Sequence, residues 1–406
     1  MMMKKIVTAV SVLCLALLAA SCIYPFTPEA EDGSGTLVIE GDIFIGEYTT
    51  VSMSYSSPVG ADSGNDCHLA EVWVEDDAGT EYRGARQSGG PDSKTVTYRV
   101  DTRDADPSRN YRLHVHDIED DLDYVSSWER VCSAPEIDSL SYNLDFARER
   151  LNVALSMHSG SESYFKWNYV EDWEYHALYF AVLKLTVQRT QYYSGTYHES
   201  VNVLPMDYSK NENTYYCYGH SVSRNIMTFS TEKQTDDRFV DLEFRTINRD
   251  DLRISYLYRI RVMLEPLSRE AFDYWENIKT NSEYSGSLFS PNPSEVLGNI
   301  RCIQNPDEFV LGYINVAQRA SRELVIDAAE HQFFKGNDSF SDPELVSLAQ
   351  WKDYYENGYL PYSYYIPNNL SETYWLPARC VDCMKRDGST GDVSRNKPAD
   401  WPPQTE

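Results

Sequence analysis

The sequence predicts a mainly β protein: an N-terminal immunoglobulin-like β-sandwich, followed by a larger β-rich domain with two short helices. Three observations lead there. Apolar and polar residues alternate with period two in many short runs, such as Val51, Met53 and Tyr55, or Val96, Tyr98 and Val100. Turn-forming clusters such as Asp76-Asp77-Ala78-Gly79 separate these runs. The chain also carries 31 Tyr and 8 Trp, residue types that suit a pleated, half-buried surface.

Residues 1–21 read as a secretion signal. Lys4 and Lys5 form a basic head, the apolar stretch from Ile6 to Leu18 is too short to span a bilayer, and Ala19, Ala20 and Ser21 precede Cys22. This layout resembles a bacterial lipoprotein signal, in which cleavage leaves the cysteine as a lipidated N-terminus. An ordinary cleaved signal is the alternative; Cys14 follows Val12-Leu13 rather than small residues and fits less well. Cys22 is therefore the expected lipid-attachment site, with acyl chains in membrane lipid and the polypeptide in water. Residues 22–35 hold Pro25, Pro28, Gly33 and Gly35 among the acids Glu29, Glu31 and Asp32, a composition that predicts an extended tether.

Residues 36–135 supply the sandwich. Leu37-Val38-Ile39 opens a strand, Val72-Trp73-Val74 precedes a turn, and Tyr111, Leu113 and Val115 alternate before the turn at 117–121 and Tyr124-Val125. Roughly seven short strands fit an immunoglobulin-like sandwich, and Ala134-Pro135 marks its boundary. Residues 136–395 form the second domain. Leu151, Val153 and Leu155 alternate, as do Trp167, Tyr169, Glu171, Trp173 and Tyr175; residues 178–187, 257–264 and 309–316 predict further strands. One helix starts near Ser268, placing Phe272, Trp275 and Ile278 on one face. The other begins at Asp342-Pro343 and stops at Asn357-Gly358. Residues 396–406 read as an irregular tail.

With 63 acidic residues against 36 Lys and Arg, the formal charge is −27. Such a surface repels nucleic acid, so no nucleic-acid partner is expected. Beyond Cys14 and Cys22, the six cysteines Cys67, Cys132, Cys217, Cys302, Cys380 and Cys383 suggest disulfides in an exported chain. Their pairing is open; one partition staples the first domain through Cys67 and Cys132 and leaves the other four to the second. Cys380-Val-Asp-Cys383 could be a redox pair or half a zinc site. It has no second C-x-x-C and lies in a polar, Gly-containing tail, so structural disulfides are the better reading.

Glu171, Asp172 and Glu174 beside Trp173 raise a glycosidase reading. Along a strand, however, Glu171 faces with the aromatics and needs a partner, while Asp172 and Glu174 point to solvent. Lys166 and Arg189 are near Glu171 only in sequence. The acidic run Asp117–Asp123 lacks the pattern of a calcium loop and reads as a solvated hairpin turn. His114 and His116 share one side of a strand without a third ligand, a surface pair. No G-x-S-x-G, phosphate-cradling glycine loop or H-E-x-x-H occurs. Neither enzyme activity, nor a cofactor, nor a metal site is expected.

Several segments together resemble one family: the tether after Cys22, Leu37-Val38-Ile39-Glu40-Gly41, the run from Tyr164 to Tyr175, Ala271 to Trp275, Pro291 to Ile300, Val310 to Tyr313, and Cys380 to Cys383 followed by Gly388 and Lys397 to Trp401. The chain is similar to an uncharacterised (domain-of-unknown-function) family of Bacteroidota outer-membrane lipoproteins encoded beside SusC-like TonB-dependent transporters. The resemblance implies an acylated outer-membrane protein facing the exterior, a non-enzymatic accessory to such a transporter in ligand capture or import. A structural or assembly lipoprotein, or a surface glycan or peptide hydrolase, are the rival readings. The matching residues themselves have structural roles: the Trp/Tyr strand fills a core, Gly298-Asn299 turns the chain, and Gly312 permits close backbone approach. Replacing Cys22 by Ala should release the protein from membranes in detergent-free fractionation; retention of the variant would remove the lipid anchor from this reading.

Overall fold

The computed structural model describes residues 35–402 apart from 58–64, 91–92, 192–196, 211, 233–237, 285–296, 337–339, 387 and 389–390. The signal segment, Cys22 and the tether up to residue 34 lie outside the described residues, as does the family-like run from Pro291 to Val296. The architecture is mainly β, as the alternation predicts.

In the N-terminal sheet the strands run in the order Leu37–Glu40, Tyr48–Tyr55, Thr95–Asp101, Glu81–Ser88, Ala70–Asp76, Asn110–Asp117, Leu122–Ser126 and Ile300–Cys302. The strand Glu81–Ser88 forms a corner: residues 81–83 pair with 73–75, and residues 84–88 pair with 97–100. Gly84 stands at the switch, where a Cβ would come 2.8 Å from the Val72 carbonyl oxygen. Both halves of the sheet bury their inward residues in one core, including Val51, Met53, Val72, Val74, Val96 and Leu113. Each such side chain contributes about 1.5–3 kcal/mol by leaving water.

That core is closed from far downstream. Ile300–Cys302 pairs with residues 124–126, and Val310, Ile314 and Val316 pack beside the N-terminal valines. Residues 311–317 run alongside residues 39–45: the N–H groups of Ile39, Ile43 and Ile45 donate to the carbonyls of Leu311, Asn315 and Ala317. Gly312, at φ +142°, is required there, because a Cβ would lie 2.0 Å from the Ile39 carbonyl oxygen. Asn299 does more than turn the chain. Its side-chain nitrogen donates to Ser127 Oγ and the Ile314 carbonyl, and its oxygen accepts from the Ile314 N–H.

The strand Tyr164–His176 is the spine of the second region. It lies between Leu257–Leu267 and Tyr216–Val222, in a sheet completed by Ala320–Asp327 and Asp392–Ser394, and Met227–Ser230 pairs with its first residues. The sheet of Glu136–Asp145, Arg150–His158 and Arg238–Asn248 shares a core with it that includes Leu151, Val153, Phe165, Trp173 and Tyr175. A further core around Leu183, Val203, Val346 and Trp375 joins the hairpin Leu183–Gln191/Tyr197–Pro205 to the sheet Glu344–Ser347, Asn369–Pro377, Tyr359–Ile366. Phe272, Trp275 and Ile278 of the helix Arg269–Tyr284 pack on Leu267 and Tyr313, the face the spacing predicts. The second helix starts later than Asp342-Pro343. Residues 344–347 are drawn into a strand because Val346 buries against the sheet, and the helix Trp351–Glu356 begins only after a turn capped by Ser347 and Gln350. It ends as expected at Asn357-Gly358, with Gly358 at φ +81°. Among the described residues, no helix is long and apolar enough to cross a membrane.

The tail is irregular but docked. Trp401 is buried and donates from Nε1 to Glu174 Oε2 at 2.9 Å, while Asp400 accepts from Arg259 Nη1 at 3.1 Å. Glu174, expected on the solvent side with Asp172, is therefore fully buried: the segment 398–401 covers that face.

Where the two regions meet, three ionisable side chains are buried together. Lys166 Nζ lies 2.7 Å from Asp42 Oδ2 and 3.3 Å from Glu265 Oε1, and 4.3 Å above the Trp275 ring. Asn315 donates its N–H to Asp42 and its side-chain amide to the Pro266 carbonyl. Burial alone would raise Asp42, but the Lys166 charge and the bonds from Glu265, Lys166 and Asn315 hold it below the usual carboxylate range. Glu265, desolvated and beside the Asp42 charge, is pushed up to about 8 and keeps its proton. The unfolded chain releases that proton near pH 4.5, so the contribution of Glu265 is complete below that value and disappears as pH rises through about 8. Unfolding free energies from urea titrations should therefore fall between pH 5 and 8.5, by an amount on the order of a few kcal/mol at most. Glu265→Gln, an isostere of the protonated acid, should flatten the fall; identical slopes in both proteins would place the pH dependence elsewhere.

Candidate functional site

A cleft of about 560 Å³ opens where the hairpin Leu183–Gln191/Tyr197–Pro205 meets the C-terminal segments, within the size range of small-ligand sites. Leu183, Lys184, Leu185 and Thr186, consecutive in one strand, form one wall; Leu360 and Pro361 come from the strand Tyr359–Ile366. Asn213 and Thr214 precede the strand Tyr216–Val222, and Val381 and Asp382 follow from the one-turn helix Ala378–Val381. Ala181, Leu183 and Val381 are buried and make an apolar floor.

The walls are held by covalent and polar links. Cys217 and Cys383, 166 residues apart, are joined by a disulfide with a Cα–Cα distance of 5.8 Å. Beside it the Cys383 N–H donates to the Thr214 carbonyl at 2.8 Å. Asp382 Oδ1 accepts from the Met384 N–H at 3.0 Å and from Arg395 Nη2 at 2.7 Å. Arg395 Nε is buried with no acceptor among the described residues. Across the cleft Lys184 Nζ bonds Glu212 Oε2, which also accepts the Asp207 N–H at 2.9 Å. These two bonds, the lysine's first, hold the Glu212 carboxyl below its ordinary range. Next to Ala181, the exposed rings of Phe180 and Tyr208 stack with centroids 5.6 Å apart. Chemically the cleft offers an apolar floor under two ion pairs, a place to hold an amphipathic molecule. Both of its carboxylates are bonded to cations.

The cysteines divide differently from the sequence partition. Cys217 pairs with Cys383, whereas Cys67, Cys132, Cys302 and Cys380 are buried thiols. Cys67 and Cys132 do not staple the first domain, and Cys302 sits in the N-terminal core together with Cys67. The two residues of the C-x-x-C face different cores: Cys380 packs with Ala181 and Leu376, and Cys383 with the core of Trp173. Cys383 is already bonded to Cys217, so the two do not share a bridge. Burial pushes the Cys67 thiol up to about 11 and the Cys132 thiol to about 12, so both stay protonated at neutral pH.

The carboxylates singled out by sequence are all engaged. Glu171 accepts from Arg245 Nε at 2.8 Å and Tyr258 Oη at 2.7 Å. Its partner is thus neither Lys166, which bonds Asp42, nor Arg189, which bonds Glu199. Asp172 bonds Arg259 and His220, and Glu174 bonds His176 as well as Trp401. His114 stacks on Trp73 and bonds Glu75, while His116 bonds Asp123, so the two rings serve different carboxylates.

The run Asp117–Asp123 does form a hairpin turn, with Asp121 at φ +54° and Asp117 accepting the N–H groups of Glu119 and Asp120. It also meets His68, which sequence reading passed over because it lies 49 residues away. His68 Nδ1 is 2.9 Å from Asp117 and 3.4 Å from Asp120. These three could hold a metal ion; the proton of His68 serves the same carboxylates. Burial alone would lower the imidazole, but the bond to Asp117 and the charges of Asp117, Glu119 and Asp120 raise it.

The model of a domain of unknown function, DUF4249, matches residues 23–323. The chain belongs to that family. No curated protein matches it. The DUF4249 region supplies the cleft residues 181–214, whereas Leu360, Pro361, Val381, Asp382 and Arg395 lie beyond it. The bridge between Cys217 and Cys383 ties these two parts, and replacing both cysteines by Ser should lower the unfolding free energy by about 2–5 kcal/mol. Guanidinium unfolding with and without reductant checks this; equal midpoints in wild type and variant under oxidising conditions would mean that the bridge contributes nothing.

Proposed function

We propose that this DUF4249 protein is a non-enzymatic lipoprotein of the outer membrane, anchored through Cys22 and facing the exterior. There it captures a ligand for a SusC-like TonB-dependent transporter of the Bacteroidota type. The observation that carries the capture role is the cleft: an apolar floor under two ion pairs, braced from behind by the Cys217–Cys383 bridge. Because Glu212 and Asp382 are each bound to a cation, the cleft favours holding a molecule over turning it over. The anchor rests on the basic head, short apolar run and small residues before Cys22. Residues 22–35 can span at most about 50 Å. Such a leash keeps the folded body close to any neighbouring barrel and raises its effective concentration there.

Purification of the tagged protein from its native outer membrane in mild detergent, with mass spectrometry of what co-purifies, tests the partner. A stoichiometric TonB-dependent transporter is the expected outcome. Barrel-assembly components in its place would favour a structural role, and a clean monomer would remove the partner from this reading.

A further inference from the structure

We infer that His68, Asp117 and Asp120 together hold one divalent transition-metal ion of the zinc class, at the edge of a cavity in the N-terminal region. The inference stands apart from the cleft described above and from the capture role proposed for it.

The first argument is convergence. His68 lies just before the strand Ala70–Asp76, while Asp117 ends the strand Asn110–Asp117 and Asp120 sits in the turn that follows. The Ile118 N–H donates to the Leu69 carbonyl at 3.1 Å and holds the two segments side by side. One ring nitrogen, His68 Nδ1, is thereby 2.9 Å from Asp117 Oδ2 and 3.4 Å from Asp120 Oδ2. That nitrogen carries at most one proton, so two carboxylates compete for it. A cation bonded to all three groups removes the competition. Their ligand atoms lie within 4.8 Å of one another, and atoms bonded to one zinc at about 2.0–2.2 Å are themselves about 3–4 Å apart. Asp120 is exposed, which gives its side chain the freedom to close on the ion.

The second argument is the support behind these groups. Asp117 is buried, and its Oδ1 accepts the N–H groups of Glu119 at 2.8 Å and Asp120 at 3.2 Å. Those bonds leave Oδ2 aimed at the imidazole. On the far side of the ring, Nε2 lies 3.7 Å from Glu119 Oε2. A carboxylate at that position is what fixes the orientation of a metal-bound imidazole.

The third argument is access. A cavity of about 680 Å³ reaches His68 and Asp120 and is lined as well by Asp66, Glu308, Tyr55 and Tyr124. It gives the ion an entry path and leaves the coordination positions not taken by protein to water. The carboxylates of Asp66 and Glu308 add a negative potential that favours a cation. The imidazole selects the class of ion, because calcium and magnesium prefer oxygen ligands throughout.

Calorimetric titration of the untagged full-length protein, stripped of metal with a chelator and kept in mild detergent at physiological salt, tests this with Zn²⁺ and Ca²⁺. One Zn²⁺ should bind per chain, at least about tenfold more tightly than Ca²⁺. His68→Gln and Asp120→Asn should each weaken that Zn²⁺ at least about tenfold. His220→Gln, in the strand Tyr216–Val222 of the second region, should leave it unchanged. X-ray absorption at the zinc edge should show one imidazole among oxygen ligands. Several weak Zn²⁺ ions, bound equally by wild type and both variants, would overturn the site and mark ions drawn only to the acidic surface. Calcium bound as tightly as zinc, and retained in His68→Gln, would overturn it in favour of a purely acidic hairpin. Because Asp120 is exposed, its variant keeps the test decisive if His68→Gln fails to fold.

Discussion

The buried contact among Lys166, Asp42 and Glu265 is the constraint on which the rest of the architecture depends. Lys166 belongs to the spine strand of the second region, Glu265 to its neighbour, and Asp42 to the turn between the first two N-terminal strands. Asn315, from the segment that closes the N-terminal core, bonds both Asp42 and the chain beside Glu265. Four separate stretches of chain thus meet in one buried polar cluster. A buried pair of this sort adds little over a well-packed apolar substitute, but deleting one member strands a charge and costs about 3–5 kcal/mol. Its role is therefore to fix which stretches meet, with the apolar cores on either side supplying most of the free energy.

The same rule recurs deeper in the second region. Glu171 joins two stacked sheets through Arg245 and Tyr258, and Asp172 joins the spine to the tail through Arg259. In so acidic a chain, the carboxylates that leave water take partners with them, lysine or arginine for Asp42, Glu171 and Asp172, histidine and the Trp401 indole for Glu174. The excess negative charge stays at the surface, which explains why acid pairs that look chemical in the sequence are structural in the fold.

The legible part of this sequence was what local spacing encodes. Alternation marked Val51, Met53 and Tyr55 and the run through Trp173 as strands, and the three-to-four spacing of Phe272, Trp275 and Ile278 marked a helix face. Local signals failed where distant chain intervened. Glu174 carries nothing to announce that Trp401 will cover it, and Asp342-Pro343 looks like a helix start until Val346 is claimed by a sheet. The cleft was invisible for the same reason: its walls lie some 200 residues apart in sequence, and the one hint, the C-x-x-C, has its two cysteines facing different cores.

The return of residues 300–317 to the first sheet has a consequence for how the molecule comes into being. The strand Leu37–Glu40 is among the first to be synthesised, yet its backbone partner at Leu311 emerges only after about three-quarters of the chain. Contacts of such sequence separation are slow to form, because a long loop must close before they reward it. The N-terminal core must wait, with valines and isoleucines unshielded, for a segment made much later. A sheet that cannot be completed from its own neighbourhood in the sequence thus stays unclosed, and the chain remains threadable, until the far segment has been made.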